Sequence, residues 1–213
     1  MITLRSVTLQ RGAKRLLDTI NSVLDMARIE AGEMEMSLSA CDIGAEIDEV
    51  LRLLRPLAAT KGIELARFSE AEVDARLDTR LLNRILHNVI GNAVKFTEEG
   101  SVHVHLEATE DLLIIRVRDT GLGIAEAFLP HVFDEFKQES TGEARMFEGS
   151  GLGLAITYRI VSIMHGRIEA ASTQGVGSAF TIVLPRYHQE NPSTVQPGPA
   201  ASASDVYLTE FAS

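Results

Sequence analysis

Two glycine-rich runs constrain this chain more than anything else in it: DTGLGI at Asp119 to Ile124 and GSGLGL at Gly149 to Leu154. Glycines at this density let main-chain N–H groups approach an anion with no Cβ in the way. The second run opens directly into the apolar stretch LAITYRIVSIM, which points a helix N-terminus at that anion. Upstream, Asn88 and Asn92 are spaced four apart and share a helix face, with Lys95 near the same side. This grouping suits a magnesium-bound triphosphate, because Mg²⁺ takes oxygen ligands and shares its shell with water and phosphates. Asn92 supplies a neutral amide oxygen for the metal, and Lys95 balances phosphate charge. Asp119 ends an apolar strand before a tight turn, where a carboxylate accepts a hydrogen bond from an exocyclic amine such as that of adenine. Gly121 and Gly123 then let a base lie close to the backbone. Singly, each feature has a plainer reading: asparagines cap backbone groups, and an Asp before Gly is ordinary turn chemistry. Their combination favours a nucleotide pocket.

Composition narrows the classes. With 213 residues, 45% of them hydrophobic, the chain can bury one core of ordinary domain size, with residues over for an extra helix and a tail. A net charge of −10 without clustered Lys and Arg excludes a nucleic-acid binder. The single cysteine, Cys41, excludes a disulfide framework and a cysteine-based zinc site and suits a reducing compartment. No apolar run approaches the roughly 18 residues of a membrane span, and no signal peptide opens the chain. The expectation is a soluble, cytoplasmic piece, compatible with a membrane-anchored parent protein.

From Arg11 to Ala31 the positions Ala13, Leu16, Leu17, Ile20, Val23, Leu24 and Ala27 recur at helical spacing, and Gly32 stops the pattern. Such a stripe needs a surface to cover it, and the pattern favours a helical bundle with an intermolecular partner. Met34, Met36 and Leu38 alternate with polar residues and read as a half-buried strand. Asp42 caps a helix from about Ile43 to Lys61, with Pro56 as a point of bending and Gly62 at its C-terminal end. A strand from Ile63 to Phe68, a polar link, and a helix from Thr79 to about Lys95 capped by Asp78 follow. Val102, Val104 and Leu106 alternate with His103, His105 and Glu107, and Leu112 to Val117 forms a second run, so a hairpin turns near Glu110 and Asp111. A helix over Gly151 to His165 and strands over Arg167 to Ser172 and Ser178 to Leu184 complete the pattern. Residues 187–213 turn to Pro, Ser, Ala and Gln and are expected to be largely disordered.

The ordered segments NVIGNAVKFT, DTGLGI, VFDEF, GSGLGL and GVGSAF resemble the N, G1, F, G2 and G3 boxes of sensor histidine kinases. Those kinases belong to the wider ATP-binding superfamily of gyrase, Hsp90, histidine kinases and MutL. LLDTINSVLDMARIEAG resembles the second helix of the kinases' dimerisation and phosphotransfer hairpin. The resemblance implies three parts: residues 1–32 as that incomplete hairpin, 33–186 as the ATP-binding catalytic domain, and 187–213 as the tail. It implies an α/β fold, a two-layer sandwich of a mixed sheet packed on helices (the Bergerat ATP-binding fold), preceded by a long helix. Carried over residue by residue, Asn92 would chelate Mg²⁺, Asn88 and Lys95 would contact phosphate and serve catalysis, and Asp119 would bind the adenine amine. Gly121, Gly123 and Ile124 would border the base. Phe133 and Phe136 would anchor an ATP lid, with Lys137 or Arg145 reaching the γ-phosphate. Gly149, Ser150, Gly151, Leu152, Gly153 and Leu154 would form the hinge and the phosphate-facing turn. Implied partners are ATP, an acceptor-histidine hairpin, a response-regulator receiver domain and a second copy through the N-terminal helix.

The chain departs from that family in one respect. A complete kinase carries an acceptor histidine on the first hairpin helix, and the N-terminal helix here has none; His87, His103, His105, His131, His165 and His188 all lack the motif. The expectation is a fragment whose phosphoryl transfer runs in trans. His103 and His105 point the same way but show no third ligand, and read as surface histidines. Two rival classes remain: an ATP-hydrolysing clamp, which needs a carboxylate four residues before the metal-binding asparagine where this chain has Asn88, and a nucleotide-binding module without transfer.

Overall fold

The computed structural model describes residues 16–17, 19–68, 72–138 and 151–187. A helix, α1 (residues 19–30), leads through an irregular segment into strand β1 (Ser39–Asp42), then helix α2 (Ile43–Lys61) and strands β2 (Glu64–Phe68) and β3 (Asp74–Leu77). Helix α3 (Thr79–Phe96), the hairpin β4 (Ser101–Ala108) and β5 (Leu112–Asp119), helix α4 (Gly153–Ile163) and the hairpin β6 (Arg167–Thr173) and β7 (Gly177–Pro185) follow. Five strands form one mixed sheet in the order β2-β4-β5-β7-β6, with β2 parallel to β4 and every other pair antiparallel.

Alternation along the strands decides which face the helices cover. Val102, Val104, Leu113, Ile115, Val117, Ile182 and Leu184 are sealed against the helices, while His103, His105 and Arg116 on the opposite face keep contact with water. Helix α3 is the central helix because eight of its residues, Leu81, Leu82, Ile85, Leu86, Val89, Ile90, Ala93 and Val94, are buried. Its start is pinned by Asp78: Oδ1 accepts the Leu81 N–H at 3.0 Å and Oδ2 the Ser37 N–H at 2.8 Å. Burial pushes this carboxyl upward, but those two N–H bonds and the Arg80 guanidinium outweigh it and hold it below the ordinary range. Helix α2 is capped by Asp42, which accepts from the Gly44 N–H, and by Gly62 in the left-handed region at φ 70°. It passes through Pro56 as one continuous helix.

Two local expectations fail. Residues 33–38 form no strand; the ladder is made by β1, antiparallel to β3 in the register Ser39↔Leu77 to Asp42↔Asp74. Met34 and Met36 do pack on the core, which is why they alternate. The polar link after β2 contains β3, whose Ala75 and Leu77 are buried although DARL shows only these two apolar residues. Helix α1 touches the domain through buried Met26 and through Asp25, whose carboxylate meets the Arg84 guanidinium at 2.7 Å. The stripe of Leu16 and Leu17 before it and Ile20, Val23 and Leu24 on it stays exposed. The expectation of a disordered tail falls, beyond Tyr187, outside the described residues.

Candidate functional site

The end of α3, the glycine turn after β5, the β6–β7 hairpin and the start of α4 enclose a cavity of about 290 Å³. Asn92, Lys95, Asp119, Gly123, Ile124, Lys137, Gly151, Gly153 and Leu154 all line it, so residues spread over some sixty positions of sequence meet at one place.

Asp119 is the last residue of β5 and only 6% exposed. Its Oδ1 accepts the N–H groups of Gly121 (2.9 Å) and Ser178 (3.2 Å), which fixes the carboxylate's orientation. Burial raises its pKa above the usual carboxylate value, opposed by those two bonds. Folding therefore disfavours its ionised form relative to the unfolded chain.

The turn that follows is held by contacts only glycine permits. A Cβ at Gly121 would lie 2.5 Å from the Phe96 carbonyl oxygen, and one at Gly123, where φ is +65°, would lie 2.1 Å from the Thr173 oxygen. Hydrogen bonds complete the clamp: Leu122 donates to Phe96 O, Gly175 donates to Leu122 O, and Ile124 donates to Ser172 Oγ. At the other end, no side chain among the described residues caps the N-terminus of α4, and Gly151 and Gly153 face the cavity there. A helix start of this kind presents main-chain N–H groups and a positive dipole to an anion.

Other expected residues sit differently. Asn88 does not line the cavity; its Nδ2 donates to Gly153 O at 3.1 Å and to Thr157 Oγ1 at 3.2 Å, tying α3 to α4. Phe133 packs against Phe180 and Tyr158, whereas Phe136 is 68% exposed and its N–H donates to Gly151 O. Phe136 has φ +59°, in the left-handed region. Leu152 is buried in the core and shows the cavity no side chain. Lys95 Nζ lies 4.7 Å from the Phe96 ring centroid, and Lys137 Nζ contacts Asp134 at 2.8 Å and His131 at 3.0 Å. Arg145, Gly149 and Ser150 lie outside the described residues. Sequence reasoning assigned no role to Phe96, Leu122, Phe128, Val132, Ser178 or Phe180, all cavity residues. Phe96 and Phe180 were visible inside the glycine and asparagine boxes; Ser172 carried no signal, since one serine on an alternating strand looks like surface.

Residues 77–188 match the family described as histidine kinase-, DNA gyrase B- and HSP90-like ATPase. The chain belongs to that family. Within this ATPase family it is 35% identical over 179 residues to the sensor histidine kinase RcsC of Escherichia coli, covering 83% of this chain and 19% of the relative. It is also 35% identical over 189 residues to the autoinducer 2 sensor kinase/phosphatase LuxQ of Vibrio cholerae, covering 86% and 22%. The chain thus spans about a fifth of the length of these relatives. Among solved structures it is similar to full-length ShkA in complex with AMPPNP, at a TM-score of 0.74 and 35% identity, covering 84% of this chain and 37% of that one. The catalytic domain of the histidine kinase ThkA shares the fold, at a TM-score of 0.63 and 22% identity, covering 72% of this chain and all of that one. The fold is therefore the ATP-binding α/β sandwich of histidine kinases, an ATP-binding catalytic module of the two-component type. Among the described residues no helix is long and apolar enough to cross a membrane.

Proposed function

We propose that this chain transfers the γ-phosphoryl group of ATP to a histidine carried by another polypeptide or by a longer parent protein. Nucleophilic attack by the imidazole forms an N–P bond while the bond from Pγ to the β-phosphate oxygen breaks and ADP leaves; the protein contributes positioning and charge. Asp119 accepts the adenine amine on its Oδ2, since the two N–H bonds described fall on Oδ1. Asn92 holds Mg²⁺, and Lys95, Lys137 and the start of α4 face the phosphates. The donor set fits magnesium: a single neutral amide oxygen is right for a cation that brings water and phosphate ligands with it. When bound, the ion supplies charge neutralisation between the phosphates.

The observation that carries this reading is Asn88. Four residues before Asn92, where a hydrolase needs a base, this chain has an amide already committed to Gly153 O and Thr157. An amide cannot take a proton from water, so transfer to an imidazole, which is its own nucleophile, is favoured over hydrolysis. The exposed stripe of α1 supports residues 1–32 as a dimerising hairpin helix, with 33–186 as the catalytic unit and 187–213 as a tail. A receiver domain would take the phosphoryl group onward, and the setting would be cytoplasmic. Incubation with an acceptor-bearing hairpin and γ-labelled ATP tests the proposal. Acid-labile label on the hairpin is expected; steady phosphate release without label contradicts it. Nucleotide binding with no label on the hairpin in that assay would instead mark a nucleotide-binding module without transfer.

A further inference from the structure

Helix α2 lies outside the cavity, yet its last residue reaches the helix that carries the metal and phosphate side chains. Lys61 Nζ donates to three carbonyls at the end of α3: Val94 O at 2.9 Å, Lys95 O at 2.7 Å and Thr97 O at 2.9 Å. These are groups that a helix end leaves without intrahelical donors, at the negative end of its dipole. The carbonyls between and before them are taken too, Phe96 O by the Leu122 N–H and Ala93 O by the Thr97 N–H and hydroxyl. The last turn of α3 is therefore wedged between an ammonium on one side and the Asp119–Gly123 turn on the other. Lys95 and Phe96 line the cavity from that turn, and Asn92 lies one turn earlier.

We propose that Lys61 is a positioning residue of the nucleotide site: its ammonium sets the end of α3 against the glycine turn, and so sets Asn92 and Lys95 relative to Asp119. This rests on the proposed reading of the cavity as an ATP site. Removing the ammonium leaves three carbonyls to water and lets the turn shift, and displacements near 1 Å cost such sites heavily.

The test uses the whole chain with its sole native cysteine replaced, Cys41→Ala, and adds Lys61→Cys. Alkylation with bromoethylamine forms a C–S bond with loss of bromide and restores an ammonium of near-lysine reach. Affinity for a fluorescent ATP analogue with magnesium is read beside the thermal midpoint, for Lys61→Cys before and after alkylation and for Lys61→Met. Expected is a loss of about tenfold in affinity of the folded protein in both variants, recovered to within twofold by aminoethylation. Unchanged affinity with a lowered midpoint would make Lys61 a structural cap only and overturn the proposal, as would aminoethylation that restores the midpoint but not affinity. If Lys61→Cys fails to fold, Lys61→Met alone decides by the same affinity criterion. Failure of the underlying ATP reading looks different: the Cys41→Ala parent would itself bind no analogue.

Discussion

The two ends of the cavity are built by opposite means. At the end proposed for the base, main chain packs directly on main chain: Gly121 against Phe96 O, Gly123 against Thr173 O, and Gly177 against Asp119 O, each closer than any side chain would allow. At the end proposed for the phosphates, Phe136 is exposed and Lys137 makes surface contacts to Asp134 and His131. The first end is shaped before ligand arrives. The second is held by exposed ion pairs, which contribute little and are given up cheaply when a triphosphate offers more charge.

The largest expected effect comes from breaking the rigid end. Gly123→Ala puts a methyl where Thr173 O stands and demands a left-handed φ, so urea unfolding should show a loss of roughly 3 kcal/mol and nucleotide binding should vanish. Asp119→Asn sharpens the comparison further, because it keeps an Oδ1 acceptor for Gly121 and Ser178 and removes the charge. ATP affinity should fall about a hundredfold while the fold is unchanged or firmer at neutral pH. The sign follows from the raised carboxyl: the folded state binds this proton more tightly than the unfolded one, so its contribution is present at low pH and lost as pH rises through the folded pKa. Asp78 runs the other way. Its carboxyl is held down, so its contribution is present above the unfolded value and fades as pH falls through the lowered one. Asp78→Ala should cost about 1–2 kcal/mol in urea at neutral pH, with ATP affinity of the folded protein kept. The smallest effect belongs to the pliable end: Asp134→Ala should leave the urea midpoint unmoved and tighten ATP binding slightly by releasing Lys137.

Legibility in the sequence follows the same division. The cavity could be located because Asn92, Asp119, Gly123, Gly151 and Gly153, which line it, fall in an ordered set of sequence boxes, and the main helices and hairpins because alternation and caps mark them. The β1–β3 pair was missed because DARL shows only two buried side chains, and pairing of so short a strand depends on a partner over thirty residues away. Met34 and Met36 misled in the other direction, since alternation records burial on the core and not a ladder. Helix spacing places Asn88 on the face of Asn92; that its Nδ2 donates to Gly153 O depends on where α4 begins in space. The reach of Lys61 to the end of α3 left no trace at all, because a lysine before a glycine at a helix end reads as an ordinary solvated charge.

The most direct test of the central claim, that a fixed carboxylate selects an adenine amine in a preformed pocket, is calorimetric titration of the whole chain with ATP and with GTP in excess magnesium. A saturable heat with ATP and affinity for GTP weaker by at least about a hundredfold is the expected result, since guanine presents a carbonyl oxygen where adenine presents a donor. Equal heats for the two nucleotides, or none with ATP at millimolar concentration, would contradict it.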